Sequence, residues 1–324
     1  MRSNALKAVA IALLSALFFT FTYVFNRAVV SGGGHWQWAV ILRYLLTLPL
    51  LAAVLPLQGG LGALPAELRT HPAVWLRWSA VGFFLFGLPL TWAASSGPSW
   101  LVAGSFQMTV LAGPLMAPFI YRDARARWHA GSLAIGVLIV AGVALLQLGH
   151  AHGSLDVDAW LAVGAVVFAA FAYPLGNRKI LLHLERTGTR LGAVQRVFGM
   201  TLASWPLWLV FAAVTWATIG APAWREVLLA GGVALSSGVI ATVLFFHATE
   251  RVSRQPTALA AVEAMQAVEL LFAAAIGAVF LGEATPGPLA AAGAVAIVVG
   301  IGAFAWASSR ETPATGVIDI DRGA

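Results

Sequence analysis

The sequence predicts an all-α polytopic membrane protein with ten transmembrane helices in two inverted five-helix repeats. Three observations carry this. Of 324 residues, 60% are hydrophobic and only 10% are charged, whereas soluble domains carry about 25% charged residues. So few charges cannot cover a surface that faces water. The apolar residues fall into stretches of about 20, the length that crosses a bilayer core. The Lys and Arg residues cluster on alternate connections between those stretches, the pattern that orients helices in a membrane.

By length and composition the spans lie at about 8–26, 36–56, 73–94, 100–121, 129–149, 158–176, 194–217, 227–249, 257–281 and 286–308. Arg2 and Lys7 precede the first apolar run as in a signal peptide. That run, Ala8 to Asn26, is long enough to span and no cleavage site follows, so it is read as a retained helix. Gly32-Gly33-Gly34 lacks the lysine and strand–helix context of a phosphate loop and reads as a turn. From Trp78 to Tyr121 there are 44 residues without a charge. At about 1.5 Å per residue they exceed one bilayer core twofold. The breaker Ser95-Ser96-Gly97-Pro98-Ser99 divides them into spans 3 and 4. The residues 309–324 are polar and weakly charged, and are expected to form a disordered cytoplasmic tail.

The amino terminus, every second loop and the tail together hold fifteen of the nineteen basic residues, Arg122, Arg125, Arg127, Arg178 and Lys179 among them. The opposite side holds Arg27 and Arg225, while Arg43 and Arg196 fall inside spans. This places both termini in the cytoplasm and the chain as a multi-pass protein of the inner (plasma) membrane. The net charge of +6 therefore reads as a topology signal, and no nucleic-acid partner is expected. The lack of cysteine excludes disulfides, thiolate metal sites and cysteine nucleophiles. Most tryptophans sit near span ends, where their amphipathic rings anchor at the interface. Trp205 and Trp208 lie within span 7 and either line a cavity or face lipid.

The halves, 1–149 and 150–308, share weak signatures. Asn26-Arg27 ends span 1 and Asn177-Arg178 ends span 6; Arg43 in span 2 matches Arg196 in span 7; Tyr121-Arg122-Asp123 after span 4 matches Leu281-Gly282-Glu283 after span 9. Five spans per half is an odd number, so the second half enters from the opposite side. Inverted repeats typify secondary transporters, which bind their solute near the midplane.

These features, with Arg43-Tyr44 and Arg196-Val197 early in the second helix of each half and Phe280-Leu281-Gly282-Glu283 before the last span, resemble the drug/metabolite transporter superfamily over residues 5–308. Within it the chain is most similar to the ten-helix multidrug resistance efflux transporters. The resemblance implies a carrier that is not an enzyme and has no cofactor, working by alternating access. Four-helix relatives hold an essential carboxylate in their first helix. Here span 1 contains no acid and span 6 only Asp158 at its very start, so that proton site has no counterpart by position.

The acids lie instead in span 9. Glu263, Gln266 and Glu269 recur every three residues, so they share one side of a helix, with the glutamates about 9 Å apart along it. A carboxylate at membrane depth is expensive, and a desolvated one can exchange a proton with a cationic solute; the alternative is an ion pair that fixes helix packing. Arg43 and Arg196 are the natural partners. An arginine left facing the cavity would instead favour an anionic or zwitterionic solute. Gln107 occupies roughly the matching repeat position in span 4, where its amide lines the cavity or bridges helices. Tyr23, Asn26, Tyr173 and Asn177 end spans 1 and 6, which line the path in such transporters. His247 and Glu250 share a helix face, and the external loop from His150 to Asp158 carries two histidines and two aspartates; both read as solvated or interfacial groups, and no metal site is expected. Pro89, Pro114, Pro118, Pro174 and Pro206 kink their spans.

The expected function is export of small, cationic or lipophilic solutes coupled to protons, by a monomer or homodimer in the lipid bilayer. The same fold could instead carry an amino acid or metabolite. A more distant reading is a lipid-modifying enzyme using His247 and Glu250 as acid and base.

Overall fold

In a computed structural model, residues 2–31, 33–96, 99–148, 157–272, 275 and 287–310 are described, and every regular element among them is helical. We number the principal helices α1 (Arg2–Ser31), α2 (Trp36–Val54), α3 (Pro72–Ser79, Ala80–Phe84 and Leu85–Ser96), α4 (Ser99–Phe106 and Thr109–Ile120), α5 (Ala130–Leu148), α6 (Val157–Thr187), α7 (Ala193–Ile219), α8 (Trp224–Val233, Ala234–Ala241 and Thr242–Arg251), α9 (Pro256–Ala264, Met265–Ala267 and on to 272) and α10 (Pro288–Arg310). Eight of these are long and apolar enough to cross a membrane. The other two are α4, broken into pieces of 8 and 12 residues, and α9, whose expected second half lies mostly outside the described residues. The external loop from His150 to Asp156, the Leu281-Gly282-Glu283 motif and the tail from 311 also lie outside them.

Large apolar side chains point outward along the bundle, among them Leu14, Val137, Phe168, Val210 and Val298. An apolar exterior is unstable in water and suits lipid. The interior faces are built from small residues. Ala5, Ala8, Ala12, Ser15 and Ala16 form one buried stripe on α1, which lets α1 press against α8, α9 and α10. The helices pair as α1 with α8, α2 with α7, α3 with α6, α4 with α9 and α5 with α10, and α6 also packs on α4 as α1 does on α9. At the α5–α10 crossing Gly142 and Gly293 meet backbone to backbone, and a β-carbon on either would overlap the other helix.

Side-chain bonds show which connections share an end. Arg125 after α4 reaches Glu185 of α6 and the Ser253 carbonyl after α8. Glu67 before α3 contacts His183 of α6. These connections carry most of the loop charge, and we call this the basic end. At the other end Glu226 accepts hydrogen bonds from the His35 and Ala223 backbone N–H groups, and the Trp38 indole donates to the Gly220 carbonyl. Gly33 turns there with φ +76°, the turn expected of the glycine run.

Three departures from expectation have local causes. The span expected to end at 176 continues to Thr187, because Asn177 and Arg178 find partners inside the bundle instead of facing water. A short helix, Leu64–Thr70, occupies the connection before α3. Third, α3 and α8 contain π-helical turns at Ala80–Phe84 and Ala234–Ala241. In α8 the wider turn is satisfied by side chains: Thr242 donates to the Ser237 carbonyl and Ser15 of α1 to the Ala241 carbonyl. In α3 the turn brings Gly82 against Gly176 of α6.

Gly293→Leu is expected to lower the thermal unfolding temperature in detergent, by the equivalent of about 1–3 kcal/mol of overpacking or more. Gly302→Leu, whose added β-carbon meets nothing, should leave it unchanged.

Candidate functional site

Two polar groups are buried in an apolar interior, one at an ion pair between helices and one at helix breaks. Nearer the basic end, Glu263 of α9 meets Arg178 of α6. The guanidinium donates from Nε to Oε1 at 2.8 Å and from Nη2 to Oε2 at 2.7 Å. The side chains are only 3% and 1% exposed. A two-pronged bond is the arrangement that best offsets the desolvation of both ions. Space for it comes from Gly113 of α4, where any β-carbon would overlap Glu263 Oε2 and Arg178 Nη2. The Tyr121 ring lies near Arg178 on one side, 6.0 Å from the guanidinium carbon, and near Arg125 on the other at 4.3 Å. Tyr121, Arg125, Arg127, His129 and Arg178 all border a narrow cleft at the basic end.

Arg125 closes this end. It bonds Asp123 through Nε and Nη2, the latter at 2.6 Å, and Glu185 through Nη1. The Arg125 hydrogen bond holds the Asp123 carboxyl below the usual carboxylate range. Burial pulls Arg125 toward neutrality, but its bonds to Asp123 and Glu185 outweigh that and raise it. Because the folded Asp123 value is depressed, its stabilisation is present at neutral pH and is lost as pH falls through the acid range.

Deeper in the bundle, Gln107 sits where α4 breaks, with its N–H bonded three residues back to the Gly104 carbonyl. Gln266 sits in the 3₁₀ turn Met265–Ala267 that breaks α9, and Glu269 follows one turn on. Gln107, Gln266 and Glu269 are all buried, and Gln266 Nε2 has no hydrogen-bond partner among the described residues. Aromatic rings fill the interior nearby. Tyr44 stacks on Trp208 at 4.4 Å and 12°, and Tyr173 on Phe245 at 5.4 Å and 30°. Arg43 is buried beside Tyr44, its Nε unbonded among the described residues.

The structure therefore gives Glu263 a different partner from either arginine expected. Arg196 neither meets the α9 glutamates nor reaches water. It is fully buried and donates to the Phe246 carbonyl at 2.7 Å and to Glu250 at 2.9 Å. Arg178, read from sequence as a loop charge, is the ion that pairs Glu263. Its signal was present in Asn177-Arg178 as a repeat mate of Asn26-Arg27, but the hydropathy boundary hid it. Asn177 donates to Thr249 of α8 at 3.1 Å. The side chains of Tyr23 and Asn26 are outside the described set. Trp208 and Trp205 face inward, the latter donating to the Tyr44 carbonyl. His247 accepts from Arg251 while Glu250 holds Arg196, so the pair is not arranged as an acid and base. Sequence reading also passed over Glu67, His71 and His183, which converge at the basic end; the four-residue spacing from Glu67 to His71 was the available signal.

Glu263→Gln and Gly113→Ala should each destabilise the protein, the former by about 3–5 kcal/mol because it strands a buried guanidinium. The double variant Arg178→Met with Glu263→Met should melt closer to wild type than either single change. Equal melting of all four proteins would show that the pair does not hold these helices. Across a pH series, the melting difference between wild type and Asp123→Asn should shrink as pH is lowered into the acid range.

A family described as "EmrE: Putative multidrug resistance efflux transporter" matches residues 6–310. YjlA, an uncharacterised protein of Bacillus subtilis strain 168, is 42% identical over 317 residues, covering 95% of this chain and 97% of that one. An uncharacterised 42.1 kDa protein of Shouchella clausii, encoded 3′ of an intracellular alkaline protease, is 39% identical over 264 residues, covering 80% and 69%. One crystal structure shares the fold at a TM-score of 0.68 and 16% identity, covering 94% of this chain and 98% of its own. An apolar multi-helix bundle with a buried ion pair between α6 and α9 is thus matched along almost its whole length: the chain belongs to the multidrug resistance efflux transporter family.

Proposed function

We propose that this protein is a proton-coupled exporter of small lipophilic cations, with ten spans, both termini in the cytoplasm of the plasma membrane, and two inverted halves that rock about a central site. The halves are residues 1–149 and 150–308. Support for the inversion comes from the pairing of helices. Adding five to each helix number, counted round from ten to one, turns α3–α6 into α8–α1 and α4–α6 into α9–α1. It returns α2–α7, α4–α9 and α5–α10 to themselves. The π-helical turns fall in the third helix of each half, and the breaks beside Gln107 and Gln266 in the fourth. Broken helices at corresponding positions are where secondary transporters place their solute.

The observation that carries the function is Glu269, a carboxylate buried beside the α9 break in a bundle whose interior also holds the stacked pairs Tyr44–Trp208 and Tyr173–Phe245. Aromatic faces attract a desolvated cation, and a carboxylate among them can hold either that cation or a proton, which is the exchange an antiporter requires. Glu269 is thus the coupling group, with Gln266, Gln107 and Arg43 around it. Glu263 is a lock: paired with Arg178 it closes the basic end, and it must separate when the cavity opens to that side. The rival cargo, an amino acid or other metabolite, draws on Arg43, whose guanidinium suits a carboxylate.

The test is proton release from purified protein in weakly buffered detergent on adding lipophilic cations and amino acids. A cation should release protons from wild type and from Glu269→Asp but not from Glu269→Gln. No release by any cation, together with thermal stabilisation by an amino acid, would replace this reading with the metabolite carrier.

A further inference from the structure

We propose that Glu67, His71 and His183 form a site for one Zn²⁺ ion at the basic end, tying the connection between α2 and α3 to the extension of α6. Glu67 lies on the short helix Leu64–Thr70, His71 joins that helix to α3, and His183 stands seven residues beyond the expected end of the α6 span. One donor atom from each lies within 4.8 Å of the other two. His183 Nε2 and Glu67 Oε1 already touch at 2.5 Å, and the His71 ring meets the His183 ring edge-on, centroids 4.7 Å apart. The carboxylate is buried and both imidazoles are half-buried. An ion therefore reaches the site from water without crossing the bundle.

The donor set selects the ion. Ca²⁺ and Mg²⁺ take oxygen ligands. Two imidazoles and one carboxylate suit zinc, with a water in the fourth position. Around tetrahedral zinc, with bonds of about 2.0–2.1 Å, donors stand about 3.3 Å apart. The three side chains reach that spacing by shifts of about 1.5 Å or less. Glu67 is also oriented from behind: the Thr189 hydroxyl donates to its Oε2 at 3.1 Å, the outer support that metal-binding carboxylates commonly have. Imidazole and carboxylate ligands bind metal in their deprotonated forms. The site stands apart from the cavity at Glu269 and does not depend on the cargo.

Isothermal titration of ZnCl₂ into full-length, tag-free protein, stripped with chelator and purified in detergent, tests this. Wild type should bind one equivalent. His71→Ala, which leaves the Glu67–His183 contact in place, and His183→Ala should weaken it by about 100-fold or more; Thr189→Val should weaken it by about 10-fold. His129→Ala and His247→Ala should bind as wild type, and CoCl₂ should give the visible absorption of a four-coordinate site. Absence of binding to wild type would overturn the site, as would one full equivalent retained by both His71→Ala and His183→Ala.

Discussion

No water reaches the middle of an apolar bundle in lipid, so each buried polar group must be satisfied by the protein. The bidentate contact between Arg178 and Glu263 is the sharpest instance. Either ion alone would be costly at that depth, and together they are tolerated only in good geometry. The pair draws α6 to α9 and needs glycine at 113 on α4. Three helices are positioned by one charge contact. It also explains why α6 runs on as helix past the apolar stretch: Arg178 is turned inward, and the helix must continue beyond it to reach the connections at the basic end.

The same constraint governs the irregular backbone. Both widened turns in the bundle interior sit where a side chain or close packing compensates. Ser15 and Thr242 satisfy carbonyls of the π-helical turn in α8, and Gly82 meets Gly176 at the one in α3. The two ends differ in character. Glu226 bonds backbone donors at one, while charge networks at Arg125 and Glu67 hold the other.

The membrane class, the span positions to within a few residues for most helices, and the gathering of basic loops at one end were legible in the chain, because hydropathy and charge are local properties summed over about twenty residues. That Glu263, Gln266, Glu269 and Gln107 are polar groups set in apolar helices, all of them buried, was legible too, since a polar side chain in an apolar run stands out without any structure. What could not be read was partnership. Arg43 and Arg196 were the obvious partners because they lie inside spans. Yet Arg196 went to Glu250 and the Phe246 carbonyl, and Glu263 took an arginine from beyond a predicted boundary.

The sequence by itself determined that this chain must live in a bilayer, which end of it is basic, and which few polar groups need an explanation. Only the tertiary structure decided which groups meet: Arg178 with Glu263, and Glu67, which the sequence did not single out, with two histidines, one of them more than a hundred residues away. The physical reason is that burial cost is set by residue type and can be read along the chain, whereas a compensating bond depends on distances of about 3 Å between side chains on different helices, fixed only when small residues let those helices close together.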